Sequence, residues 1–506
     1  MALDFTCAPH PKQNSDRQIA TLFRGSGSSQ IIGAADIFDG AERNMRRIAT
    51  ARNLTVAVIA VGATAALALN LPGHLSYDSV LQLSQGRTGV YNSWHPPIMA
   101  WMLGLGDSIV HGPALFVAFD TLLLFGSLIG LVLTPGNGLC SRWAPVIAAV
   151  FAATPVGLIY PAIVWKDVLF AASALAGFTA LALAAARWRR PQLRWPLIFL
   201  AAVLMALAGL VRQNGAVAPL VGAVSLGMIA AAQRRRILYG AGFGLGLLVA
   251  AAVIMTGSTL ALNTRSDGEP EQVRQLEYLQ LYDLSGAVKR RPSLSLQRLK
   301  AVNPRLEQLV RTEGAMVWTP LRIDTIAALD DLHEQMLATP VSAVTAQWVD
   351  LIVRHPDLYL AVRGVDFFWV VFTPRVRDCT PFFVGVDGPQ PFMEQLGLVR
   401  RMSPRDSALK SYGLAFTYTP LFSHALYGMI AILVLVRLAL RHRPADIALA
   451  GMIFSALTFC ASFLVVSVAC DYRYLYFLDV AAMAGALYLA ASGRRSAAGT
   501  LVSAER

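Results

Sequence analysis

Residues 77–97 read YDSVLQLSQGRTGVYNSWHPP and hold a carboxylate, Asp78, and an imidazole, His95, among several hydrogen-bonding side chains. Three shorter polar motifs interrupt apolar runs farther along: Trp165-Lys166-Asp167, Arg212-Gln213-Asn214-Gly215 and Asp471-Tyr472-Arg473-Tyr474. Carboxylates beside cations suit group transfer from a phosphate. The carboxylate takes a proton from the attacking acceptor, and the cations stabilise the phosphate as it leaves. Asp78 or Asp167 could be the base. Lys166, Arg212, His95 and Arg473 could hold phosphate, Arg by a bidentate fork and Lys as a point charge. Tyr91, Trp94 and Asn214 complete the polar set. The chain carries no Gly-rich nucleotide loop, which suits a donor that is lipid-linked rather than nucleotide-linked.

These motifs need a frame to bring them together, and composition says what it is. The 506 residues are 55% hydrophobic and only 15% charged, with mean hydropathy +0.52. Soluble domains carry roughly 25% charged residues, so lipid must solvate most of this chain. Runs of Ala, Leu and Val reach the ~20 residues that cross a bilayer as a helix. They lack the ten-residue alternation of a membrane β-barrel. The expected fold is therefore all-α and polytopic, with about ten spans at 53–72, 114–134, 144–163, 168–186, 196–211, 216–232, 237–260, 413–438, 445–468 and 474–491.

Charge then orients the spans. Short loops with RWRRPQLRW (187–195), QRRR (233–236) and RHR (441–443) fall on one side, as the positive-inside rule requires. The opposite side receives 73–113, WKD, RQNG, DYRY and a long, mostly helical segment at 261–412. The division along the chain is a disordered cytoplasmic tail (1–50), a seven-span module (51–260), the outer segment (261–412), three further spans (413–492) and a cytoplasmic tail (493–506). Segment 97–112, opened by Pro96 and Pro97 and punctuated by Asp107 and His111, reads as a helix at the outer interface rather than a span.

The net charge of +12 follows from those inner loops and not from a contiguous soluble patch, which sets nucleic acid aside. Five cysteines without metal or CxxC spacing argue against a zinc site or a disulfide framework. Cys379 and Cys470, both on the outer side, leave room for one bridge. Asp167 also fits as a simple helix N-terminal acid, and the Trp and Tyr residues as an interfacial belt.

The order of these features resembles the GT-C superfamily of membrane glycosyltransferases, which includes protein O-mannosyltransferases and bacterial aminoarabinose transferases. A first span is followed by an outer-loop acid (Tyr77-Asp78-Ser79), then His95-Pro96-Pro97, then a second acid (Asp167) opening the fourth span. The resemblance covers about 50–260. It implies Asp78 as the catalytic carboxylate and Asp167 as a residue supporting acceptor or metal contacts. It further implies a polyprenyl-phosphate sugar donor, a lipid, glycan or protein acceptor, and an active site on the periplasmic face of a bacterial inner membrane. Where eukaryotic mannosyltransferases have paired acids, this chain has Asp78-Ser79, so no metal or other cofactor is assigned, and a divalent ion stays open. The competing expectation is a carrier or flippase for a lipid-linked saccharide, with the phosphate site but no base.

Overall fold

The computed structural model describes residues 29–91, 95–134, 140–263, 271–441 and 443–492. Contacts separate residues 1–50 from a compact unit at 51–506. Within the first unit the backbone is helical from Ser29, as part of a helix Ser29–Asn70. The stretch AADIFDGAERNMRRIATAR has no proline, and its Ala, Glu, Met and Arg residues favour helix. Residues 1–28 and the tail 493–506 lie outside the described residues.

Among the described residues, eight helices are long and apolar enough to cross a membrane: Thr50–Asn70, Ala114–Val132, Lys166–Ala186, Pro191–Val211, Gln213–Arg234, Ile237–Leu262, Pro444–Val466 and Tyr472–Ala491. The chain is an all-α polytopic membrane protein; among the described residues β-pairing is confined to isolated bridges. The helix Lys166–Ala186 is the hub. It packs against Ala114–Val132, Pro191–Val211, Pro444–Val466 and Tyr476–Ala491, and its Ala and Gly residues let them approach: a Cβ on Gly177 would lie 2.9 Å from Met205 Cγ. Ile237–Asn263 is peripheral and leaves Leu238, Leu245, Val249 and Val253 exposed. Each such side chain would cost about 1.5–3 kcal/mol in water, a cost lipid removes.

Two expected spans differ in form. The one at 144–163 is a pair of helical pieces, Trp143–Ala153 and Pro155–Ala162, bent by 72°. Pro155 forces Thr154 out of the helical region, to ψ 157°. The span at 413–438 is instead an outer helix Pro404–Ala415, a break at Pro420, and an apolar helix of 16 residues, His424–Ala439. Pro420 cannot supply the N–H that a continuous helix would need.

Tyr77–Thr88 and Pro97–Ile109 form a tight helical hairpin. The latter, at 13 residues, is not among the eight spans. Gly86 and Gly104 make the closeness: a Cβ on Gly104 would sit 2.4 Å from the Gly86 carbonyl oxygen. Arg87 grips Asp107 by two hydrogen bonds of 2.8 Å, and Gly89 ends the first helix at φ 72°. The outer segment has its own apolar core around Leu281, Leu299, Leu309, Leu332 and Val362. Its expected helical stretch at 323–352 is divided into Asp324–Ala327, Asp330–Leu337 and Val341–Arg354. A disulfide joins Cys379 to Cys470, the bridge for which the sequence left room. Bridges of this kind persist in oxidising compartments.

Candidate active site

The frame of the site is a stitched set of short backbone contacts. The His74 N–H donates to Ala162 O (3.0 Å) and Val164 N–H to His74 O (3.1 Å). Leu75 pairs in the same way with Gly385 and Asp387. Ser79 donates to Val164 O at 2.6 Å, and Trp165 Nε1–H to Ser76 Oγ at 2.9 Å. Ser79 is thus a buried crosslink. These bonds fix the start of the Tyr77 helix beside the start of the Lys166 helix, so Asp78 and Lys166-Asp167 share one end of the bundle. The disulfide fastens Cys470, immediately before Asp471, and Cys470 N–H donates to Leu321 O.

Arg473 is the hub of the resulting cluster. Its guanidinium lies 2.9 Å from Asp78 Oδ2, 3.1 Å from Asp471 and 3.9 Å from Asp167, and 5.0 Å from the Trp165 ring centroid. Asp167 is buried and paired with Arg212. Arg212 sits among the rings of Phe459, Phe463 and Tyr474 at 5.4–5.6 Å. Burial lowers the Arg212 pKa to about 10, and it stays charged at neutral pH. Lys166 has neither a hydrogen bond nor an ion pair to another side chain among the described residues.

Asp78 is the open member, its side chain 31% exposed. Burial works against its charge, but Arg473, His95 and Lys166 together outweigh it and hold the carboxyl below the usual range. It is ionised at neutral pH, in the first turn of a helix where negative charge is favoured. His95 is buried, with Nε2 at 3.9 Å from Asp78 Oδ1. Burial, then the Lys166 charge, lowers its pKa to about 4, so the ring is neutral and one nitrogen carries hydrogen.

Seven of the nine residues singled out from the sequence can thus be followed into two groups. Asp78, His95, Lys166, Asp167, Arg212 and Arg473 converge. Asn214 stands just behind Arg212 and ties its turn to the Pro444 helix through Ser462 Oγ (2.8 Å). Tyr91 does not join them; it packs in an apolar cluster with Ile98, Ala100 and Leu262, because the hairpin turn directs it inward. Trp94 lies outside the described residues. The sequence understated Arg473, gave Asp471 no role and left out Asp324. Asp324 feels the charges of Asp471, Asp78 and Arg473, and burial then Asp471 raises its pKa. The tetrapeptide DYRY carried a signal for Asp471. Nothing in the local sequence around Asp324 did, since tertiary contacts such as Cys470 N–H to Leu321 O bring it near. Among the described residues no three His, Cys, Asp or Glu side chains gather as ligands for a cation, and no step below is routed through one.

No protein-family model matches the chain, and no curated protein matches it. Among solved structures it is similar to the Archaeoglobus fulgidus oligosaccharyltransferase in complex with Zn and sulfate, at TM-score 0.39 and 14% identity over 85% of this chain and 48% of that one. It is similar also to the oligosaccharyltransferase AglB of the same organism, in complex with an inhibitory peptide and a dolichol-phosphate, at TM-score 0.39 and 13% identity over 86% and 50%. The chain spans about half the length of these structures. At this level of likeness the functional reading rests on the site itself.

Proposed function

We propose that the chain is an integral membrane glycosyltransferase of GT-C type. It moves a sugar from a polyprenyl-phosphate donor to a glycan, lipid or protein acceptor, on the periplasmic side of a bacterial inner membrane. The observation that carries the proposal is Asp78: an ionised, partly open carboxylate at the outer end of the bundle, 2.9 Å from Arg473 and within the field of Lys166.

In the proposed reaction the acceptor oxygen attacks the anomeric carbon from the face opposite the phosphate. Its proton passes to Asp78 Oδ1, because Oδ2 is occupied by Arg473. The new C–O bond forms as the bond from the anomeric carbon to the phosphate oxygen breaks. The electron pair leaves with the phosphate, and the configuration inverts. Lys166, without a carboxylate bonded to it, meets the charge growing on the phosphate, and neutral His95 can donate an N–H. Arg212 adds its field while fixed by Asp167, which makes Asp167 a positioning residue. Preorganised charges of this kind act on the transition state without reorganisation.

The test pairs donor binding with transfer in Asp78→Asn and Asp78→Glu, using a synthetic polyprenyl-phosphate sugar. Loss of a positioned base costs about 10²–10⁴ in rate. Asp78→Asn is expected to lose transfer by that factor while the donor Kd changes less than about threefold, with Asp78→Glu intermediate. Undiminished transfer by Asp78→Asn sinks the assignment of the base. Donor movement across vesicles by wild type, with no transfer to any acceptor, would favour the carrier reading.

A further inference from the structure

A second basic site lies apart from Asp78, in a cavity of about 620 Å³ walled by residues 377–387 and 400–414. Its floor is apolar, with Phe382, Val384 and Leu414, and its cations are Arg377, Arg400, Arg401 and Lys410, against one lining carboxylate, Asp387. Arg400 is taken up by Asp387 at 2.6 Å, and Arg401 lies 3.6 Å from Asp406. Lys410 has no ion pair among the described residues, and Arg377 has only the Tyr418 ring beneath it, at 4.8 Å. Two exposed cations therefore face one mouth uncompensated.

The cavity is tied to the apolar helix Trp143–Ala153. The helix Pro404–Ala415 packs Gly413 on Phe382, and its Tyr412 hydroxyl donates to the carbonyl of Ala153, the last residue of Trp143–Ala153. Two uncompensated cations beside Phe382 and Leu414 match a phosphate that carries a hydrocarbon chain.

We propose that this cavity is a binding site for a phosphate group borne on an apolar chain, with Arg377 and Lys410 as the anion's ligands and Phe382 and Leu414 against the chain. The site is independent of the reaction proposed at Asp78. The test is calorimetric titration of the full chain in detergent with decyl phosphate and, separately, inorganic phosphate. It is run in a Lys166→Met background, which removes the cation assigned to the phosphate in the reaction proposed at Asp78. Decyl phosphate is expected to bind, and Arg377→Gln with Lys410→Gln to raise its Kd about tenfold, an effect of ~1.4 kcal/mol. The control Arg291→Gln should leave it unchanged. Both mutated positions are exposed, and an unchanged melting temperature confirms that the double variant folds. Equal affinity of the double variant overturns the site, and inorganic phosphate binding as tightly as decyl phosphate overturns the chain-bearing ligand.

Discussion

Two Asp–Arg clusters of this protein are built in opposite ways. In one, Arg363 meets Asp283 at 2.5 Å with both side chains fully buried. Trp348 donates to Asp283 (2.7 Å), Tyr282 lies 3.0 Å from Asp366, and Arg363 donates to Ser467 O (2.6 Å). In the other, Arg473 meets Asp78 at 2.9 Å with the carboxylate 31% exposed. The first is closed by protein on all sides and ties the outer segment to the end of the Pro444 helix. The second is open and leaves an oxygen of Asp78 for something that is not protein. The same residue pair thus serves as a fastening where it is sealed and as a candidate for chemistry where it is not.

That contrast is breakable, beginning with stability. Arg363→Met removes one partner of a sealed pair and strands Asp283, whose pKa burial already raises; such a loss costs about 3–5 kcal/mol. Asp78→Asn touches a partly solvated pair and should cost under about 1 kcal/mol. Chemical denaturation of both variants measures the difference, and comparable losses would erase the distinction between the clusters.

A smaller effect is expected from the hairpin that carries Asp78. Gly104→Ala places a Cβ 2.4 Å from the Gly86 carbonyl, with a packing cost of about 1–3 kcal/mol. Transfer activity should fall as well, since the two helices must part. The equivalent change at Gly364 meets nothing within 4 Å and serves as control. Full activity in Gly104→Ala would show that hairpin closeness is not needed to place Asp78.

A further effect is in pH. The folded-state pKa of His95 is about 4 against an ordinary 6.5, so the unfolded chain binds the extra proton first. His95 therefore lowers stability as pH falls from 6.5 toward 4, by on the order of 3 kcal/mol. Asp78, with a depressed pKa, stabilises the fold above its ordinary range and loses that contribution as pH falls through its folded value. His95→Gln should flatten the dependence of melting temperature between pH 6.5 and 4.5; an unaltered slope would mean that His95 is not sealed against protonation.

The membrane helices were legible because twenty apolar residues in a row have few fates in water or lipid. The bend at Thr154 was written in Pro155 and the break before His424 in Pro420, but a hydropathy window averages such residues away. Six of the residues singled out from the sequence lie together at one end of the bundle. Tyr91 does not, because a polar-tipped ring near a turn can point either way, and only the packing of Ile98, Ala100 and Leu262 chose.

By itself the sequence determined the all-α membrane frame, the side on which the basic loops gather, and the residue types available for proton and phosphate chemistry. Those follow from local solvation and charge, which each segment carries alone. Only the tertiary structure decided that Arg473 joins Asp78, Asp471 and Asp167, that Ser79 is a crosslink, and that Asp324 stands near. Such contacts join segments as far apart as 78 and 473. Their partners are selected by helix packing, by the disulfide and by the backbone stitches around His74, none of which a single segment contains.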